Sequence, residues 1–307
     1  MNADVGDESI TTMLLQYGAS ITVKDYRGHY PLHCAAFSGN VKIVDILLKA
    51  DESKVTLNHR ISYGKKSIIK GASLYHVAVL KENVDLIDIL LQNKLCPNIR
   101  DFYGRTPLYL AIYGCKSREK KKRRRIRWWI EEVETGKQFK VVKKLLDHTD
   151  VRIAEKDGYT PLHAAVHKGH LEIVKLLGPL ADVNAQDKYG KTPLHTACDE
   201  MNLDIFKILV EDFKADYRMR TKSNKTIFDI LASKTELRCI RRRYKNRKSV
   251  TNYMFEYPRF KSFRDIISVK DPDFVKQVIS NIGIEEEYEC VDQSEQGEAN
   301  EDIDHGK

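Results

Sequence analysis

Two hydrophobic patterns alternate along this chain of 307 residues. The first is amphipathic: Val41-Lys42-Ile43-Val44-Asp45-Ile46-Leu47-Leu48, Phe139-Lys140-Val141-Val142-Lys143-Lys144-Leu145-Leu146 and Leu171-Glu172-Ile173-Val174-Lys175-Leu176-Leu177. Their apolar residues recur at three- and four-residue spacing, which predicts helices with one buried face. The second is a short block: Tyr30-Pro31-Leu32-His33-Cys34-Ala35, Thr106-Pro107-Leu108-Tyr109-Leu110-Ala111, Thr160-Pro161-Leu162-His163-Ala164-Ala165 and Thr192-Pro193-Leu194-His195-Thr196-Ala197. Threonine caps the backbone N–H groups of a helix start, and proline suits the first turn, where its missing donor is harmless. Each block therefore predicts the start of a further helix, with Gly39 and Gly169 closing two of them.

Weaker copies stand at Ala72-Ser73-Leu74-Tyr75-His76-Val77 and Thr226-Ile227-Phe228-Asp229-Ile230-Leu231. The proline positions and their substitutes fall at 31, 73, 107, 161, 193 and 227, separated by 42, 34, 54, 32 and 34 residues. Three steps lie near a period of about 33, and the other two carry insertions of roughly nine and twenty-one residues. Asp25-Tyr26-Arg27-Gly28, Asp101-Phe102-Tyr103-Gly104, Asp157-Gly158 and Asp187-Lys188-Tyr189-Gly190 read as the intervening turns.

The block and its period resemble the Thr-Pro-Leu-His-x-Ala signature of the ankyrin repeat family, from about Ser9 to about Arg247. The resemblance implies an all-α solenoid of stacked helix-turn-helix units with short β-turn fingers. The expected division is a partial first repeat or cap at 1–24, then repeats at 25–63 (with a short insertion), 64–100, 101–156 (with a basic insertion at 115–138), 157–186, 187–220 and a degenerate 221–248. In the partial repeat, Met13-Leu14-Leu15-Gln16-Tyr17-Gly18-Ala19 reads as a second helix alone; either it is a minimal cap or the protein begins upstream. A helical extension at 249–284 follows, drawing on Phe255, Tyr257, Phe260, Phe263, Ile266 and Ile267. Its last helix starts at Asp271-Pro272, sets Phe274, Val278 and Ile282 on one face and stops at Gly283. It is expected to cover the last repeat, since terminal units need capping. Residues 285–307 are too acidic and too poor in apolar residues to fold alone.

Charge sharpens this division. The net charge is +8, yet residues 116–127 hold nine basic residues and one acid, 238–248 hold seven basic residues, and 285–307 hold ten acids against one lysine. Lys120, Lys121, Lys122, Arg123, Arg124, Arg125 and Arg127 suit a nuclear import signal, a nucleic-acid or anionic-lipid patch, or a solvated loop without a partner. Trp128-Trp129-Ile130, directly after, are expected to pack back onto the repeats. Around the second cluster, Leu237, Ile240 and Tyr244 predict a helix over Glu236–Arg247 with a basic outer face.

No apolar run approaches the eighteen or so residues of a membrane span. Six cysteines (34, 96, 115, 198, 239, 290) lie apart without C-x-x-C pairs, which predicts reduced thiols and a cytosolic or nuclear protein. Phosphate loops, metalloprotease helices and nucleophile elbows are missing, so neither an enzyme, a cofactor nor a metal is expected. The family resemblance assigns structural roles to His33, His163 and His195. It also places partner contacts on the fingertips: Tyr26, Arg27 and His29; Phe102, Tyr103 and Arg105; Tyr159; and Lys188, Tyr189 and Lys191. Aromatics beside cations suit recognition hot spots and an acidic partner segment. Asn184 resembles the asparagine that such proteins expose to a hydroxylase. Function on this reading is protein binding, as scaffold, adaptor or regulator, with a transcription-factor inhibitor of the NF-kappa-B inhibitor type as a related alternative and polyanion binding as the rival.

Overall fold

The computed structural model describes residues 7–26, 28–51, 61–63, 69–114, 136–233 and 258–282. It divides into two units, Met1–Arg238 and Cys239–Lys307.

In the first unit, helix α1 (Glu8–Gln16) stands without a preceding partner helix among the described residues, and α2 (Pro31–Ser38) pairs with α3 (Val41–Ala50). Strands β1 (Ile61–Tyr63) and β2 (Ile69–Ala72) come next, then the hairpins α4 (Leu74–Leu80)/α5 (Val84–Gln92) and α6 (Pro107–Gly114)/α7 (Lys137–Leu146). Two more follow, α8 (Pro161–Lys168)/α9 (Leu171–Leu177) and α10 (Pro193–Asp199)/α11 (Leu203–Glu211), and α12 (Ile227–Ser233) is the last of the row among the described residues. The first helices stack in order, α2 on α4, α4 on α6, α6 on α8, α8 on α10 and α10 on α12. Behind them, α1, α3, α5 and α7 form a second row, as do α9 and α11. This is the helical solenoid that the repeated blocks predict. The basic insertion does separate the two helices of one hairpin, leaving after Gly114 and returning before Gly136.

The leucine after each proline and the alanine three residues on are where first helices meet. Leu32, Leu108, Leu162, Leu194, Ala35, Ala111, Ala165 and Ala197 are all buried. Alanine at the contact lets neighbouring helices approach closely, while each leucine removes a large apolar side chain from water, about 2 kcal/mol apiece. Second helices bury the paired positions Ile43/Val44, Leu86/Ile87, Val141/Val142, Ile173/Val174 and Ile205/Phe206. Asparagines cap three of them: Asn40, Asn83 and Asn202 accept from the N–H groups of Ile43, Leu86 and Ile205.

The shorter insertion is more than a loop. β1 and β2 pair antiparallel, Ser62 opposite Lys70 and Tyr63 opposite Ile69, so one finger is drawn out into a β-ribbon. The second unit contains α13 (Pro258–Ser268) packed on α14 (Pro272–Ile282), with Phe263, Ile267 and Val275 buried. Asp271 caps α14 by accepting from the Phe274 N–H at 3.0 Å. The side chains of Val278 and Ile282, and the helix expected over Glu236–Arg247, lie outside the described residues.

Candidate functional site

Five of the fingers have five positions each. The first residue's N–H donates to the fifth residue's carbonyl in Asp25/His29, Asp101/Arg105, Glu155/Tyr159, Asp187/Lys191 and Thr221/Lys225. The fourth residue turns the chain in the left-handed region, as Gly28, Gly104, Gly158, Gly190 or Asn224. The first carboxylate is consumed in holding that turn. Asp101 Oδ1 accepts from the N–H groups of Tyr103 and Arg105, and Asp187 Oδ1 from those of Tyr189 and Lys191. In the fifth repeat the turn opens two residues earlier than Asp157-Gly158 suggests. Glu155 takes the opening position, its Oε1 accepting from the Asp157 N–H at 3.1 Å, and burial holds its carboxyl above the usual range.

Adjacent fingers form a ladder. Lys156, Lys188 and Lys222 donate their N–H groups to the carbonyls of Tyr103, Asp157 and Tyr189. Two histidines bind their repeat to the next finger. In His163, Nδ1 accepts from the Thr160 N–H (3.3 Å) and Nε2 lies 3.0 Å from the Lys191 carbonyl, so Nε2 carries the proton. His76 does the same between Ser73 and the Arg105 carbonyl. Burial lowers the His163 pKa to about 4. For His163 the structural role that the resemblance implies is thus visible atom by atom.

The residues expected at the fingertips are not equally placed. Tyr26 is 89% exposed and Tyr189 is 59% exposed, and Tyr103 also faces water. Arg105 stands 4.6 Å over the Tyr103 ring while its other side binds Asp101, and Lys188 stands 4.8 Å over Tyr189 while pairing with Asp157 at 2.9 Å. Phe102 lies against the backbone of Gly71, where any Cβ would meet its ring at 2.6 Å. Lys191 binds Asp199. Two expectations need correction. His29 is only 4% exposed and sits inside its finger beside Asp25, so it belongs to no outer rim. Tyr159 is half-buried, its ring tilted 4.9 Å from that of His163 and hydrogen-bonded with Thr196, and burial raises its pKa; its ring is part of the packing. Arg27 and the basic patch Lys120–Arg127 lie outside the described residues.

Asn184 is likewise part of the framework. Its Oδ1 accepts from the Asp216 N–H at 2.9 Å, as Asn98 does from Asp150 at 3.0 Å, joining consecutive turns. Its side-chain oxygen is therefore already engaged.

The sequence reading missed a strip beside the fingers. Tyr113 is exposed at the end of α6, stacked on Tyr109 at 5.9 Å, with the Lys168 ammonium 4.1 Å over its ring. His167 Nδ1 lies 2.9 Å from Glu200, continuing the strip to the next repeat. The signal was present as the four-residue step from Tyr109 to Tyr113, which carries one helix face past the consensus block. No helix among the described residues is long and apolar enough to cross a membrane.

Comparison with known proteins identifies this architecture. Family models described as ankyrin repeats match residues 131–221 and 6–48. Human ankyrin repeat and SOCS box protein 3 is 30% identical over 104 residues, 34% of this chain and 19% of that protein. The putative ankyrin repeat protein FPV223 of fowlpox virus is 30% identical over 169 residues, 54% of this chain and 96% of that protein. The crystal structure of the Bcl-3 ankyrin repeat domain superposes with a TM-score of 0.57 at 22% identity, covering 75% of this chain and 91% of that one. The chain spans about a fifth of the length of the first curated relatives it matches.

Proposed function

The chain belongs to the ankyrin repeat family, and on that premise we propose that it is a non-catalytic protein that grips a partner protein along its fingers and the adjoining helix ends, as scaffold, adaptor or regulator. One observation carries the proposal: Tyr103, Tyr113 and Tyr189 are exposed, and each has a cation within 5 Å of its ring, Arg105, Lys168 and Lys188 respectively. Rings already ordered by a neighbour lose little freedom on binding, and tyrosine and arginine dominate interface hot spots. The cations favour a partner segment bearing carboxylates. Inhibition of a transcription factor is a narrower version of this reading; the likeness to Bcl-3 speaks to fold alone.

The test is a pull-down by the intact chain beside a Tyr103→Ala, Tyr113→Ala, Tyr189→Ala variant with an unchanged melting curve. Loss of about 2 kcal/mol per hot spot would weaken a partner at least roughly thirtyfold. Equal capture by both proteins rejects the site. A salt series separates the rival polyanion reading, since binding carried by phosphate contacts falls by orders of magnitude between about 50 and 200 mM salt.

A further inference from the structure

The first complete finger differs from the others in two positions at once. At the fifth finger position the other repeats carry Ala72, Arg105, Tyr159, Lys191 and Lys225, and this one carries His29. At the fourth position of the following helix the others carry Val77, Leu110, Ala164, Thr196 and Ile230, and this one carries Cys34. Both changes fall where the finger opens with a carboxylate. The result is a cluster in which donor atoms of Asp25, His29 and Cys34 all lie within 4.8 Å of one another. His29 and Cys34 are buried, and the Asp25 side chain is 23% exposed, which gives the cluster one side open to water.

We propose that Asp25, His29 and Cys34 form a three-donor site for a borderline divalent cation of the zinc class. One carboxylate, one imidazole and one thiolate are the ligand types such ions take, and three protein donors leave a fourth position for water or an incoming group. Metal–donor bonds of about 2.0–2.3 Å set the donors of a four-coordinate ion roughly 3.5 Å apart. The His29 Nδ1 to Asp25 Oδ2 separation is 3.5 Å, longer than a direct hydrogen bond and suited to a pair sharing an ion. The finger also orients its own ligand: Asp25 Oδ1 is held by the His29 N–H at 2.8 Å, and Oδ2 lies on the His29 ring side. Cys34 lies in the first turn of α2. Binding forms a metal–sulfur bond and releases the thiol proton to solvent, so affinity rises with pH.

Cobalt(II) titrated into the metal-stripped full chain is the direct test. The expected result is one equivalent bound, with thiolate-to-cobalt charge transfer, the visible bands of a four-coordinate ion and displacement by zinc. Cys34→Ser should remove the charge-transfer band and weaken binding at least about tenfold, whereas Cys96→Ser should change neither. His29→Arg gives a second arm, because Asp101 and Arg105 show that an arginine closes this turn. That variant should fold normally and lose the metal. Cobalt that fails to bind, or that binds unchanged after Cys34→Ser or His29→Arg, overturns the proposal.

Discussion

At the residue scale, the buried histidines are the most exacting parts of the molecule. His163 is neutral, wholly buried and bonded at both nitrogens, so charging it in place would break the Nδ1 contact with Thr160. Its pKa is lowered from 6.5 to about 4, mainly by burial, so the unfolded chain takes up a proton before the folded one does. Stability is therefore intact above pH 6.5 and lost as pH falls from there towards 4, by about 3 kcal/mol for this residue. Urea midpoints at pH 7 and pH 4.5 check this. The wild type should lose more stability between them than His163→Gln, which starts weaker but has no proton to bind there. Parallel losses would show that His163 does not titrate as described. Burial also lowers the pKa of His195, with Lys191 adding to the effect, so the variant's curve should flatten without becoming level. The roles of these rings were legible in the sequence because they recur with the block. The inward position of His29 was not, because its contact runs four residues back to Asp25, and no repeated pattern marks it.

At the element scale, the fingers show how a shared turn acquires different tolerances. Gly28 and Gly190 adopt the same left-handed conformation, φ 82° and 76°. A Cβ at Gly28 meets nothing within 4 Å, whereas one at Gly190 would fall 2.6 Å from the Lys222 backbone nitrogen. That nitrogen is the donor that ties the last finger to Tyr189. Gly28→Ala should then cost only the conformational strain, about 1 kcal/mol. Gly190→Ala should cost at least about twice that, because it also parts two fingers. Thermal unfolding of the two variants decides it, and equal losses would deny that the ladder is under steric constraint. Helix pairs were readable from hydrophobic spacing and proline-led caps. The β1/β2 ribbon was not, since three and four residues are too few for a strand pattern and pairing depends on partners across the turn. Glu155 was missed for a related reason: Asp157-Gly158 imitates a turn opening, and only the bond from Glu155 N–H to the Tyr159 carbonyl fixes the register.

At the scale of the whole molecule, stacking and charge are separable. Each repeat of the first unit is held by its neighbours, so an insertion is tolerated where a hairpin turns back. The segment between Gly114 and Gly136 meets that condition, because α6 and α7 still pack as a pair on either side of it. Residues 116–127 within it carry a net +8, equal to the charge of the entire chain. Their removal should therefore leave the solenoid folded, and shortening the loop should favour the native state by about 1 kcal/mol or less. It should also take away whatever the basic cluster recognises. We propose that this is the nuclear import machinery, which makes a fluorescent fusion lacking 116–127 the informative variant: melting temperature unchanged, nuclear accumulation lost. An unchanged distribution would leave the cluster without an import role. A melting temperature lowered by several degrees would instead mean that the segment packs onto the repeats, as Trp128-Trp129-Ile130 suggest for its far end.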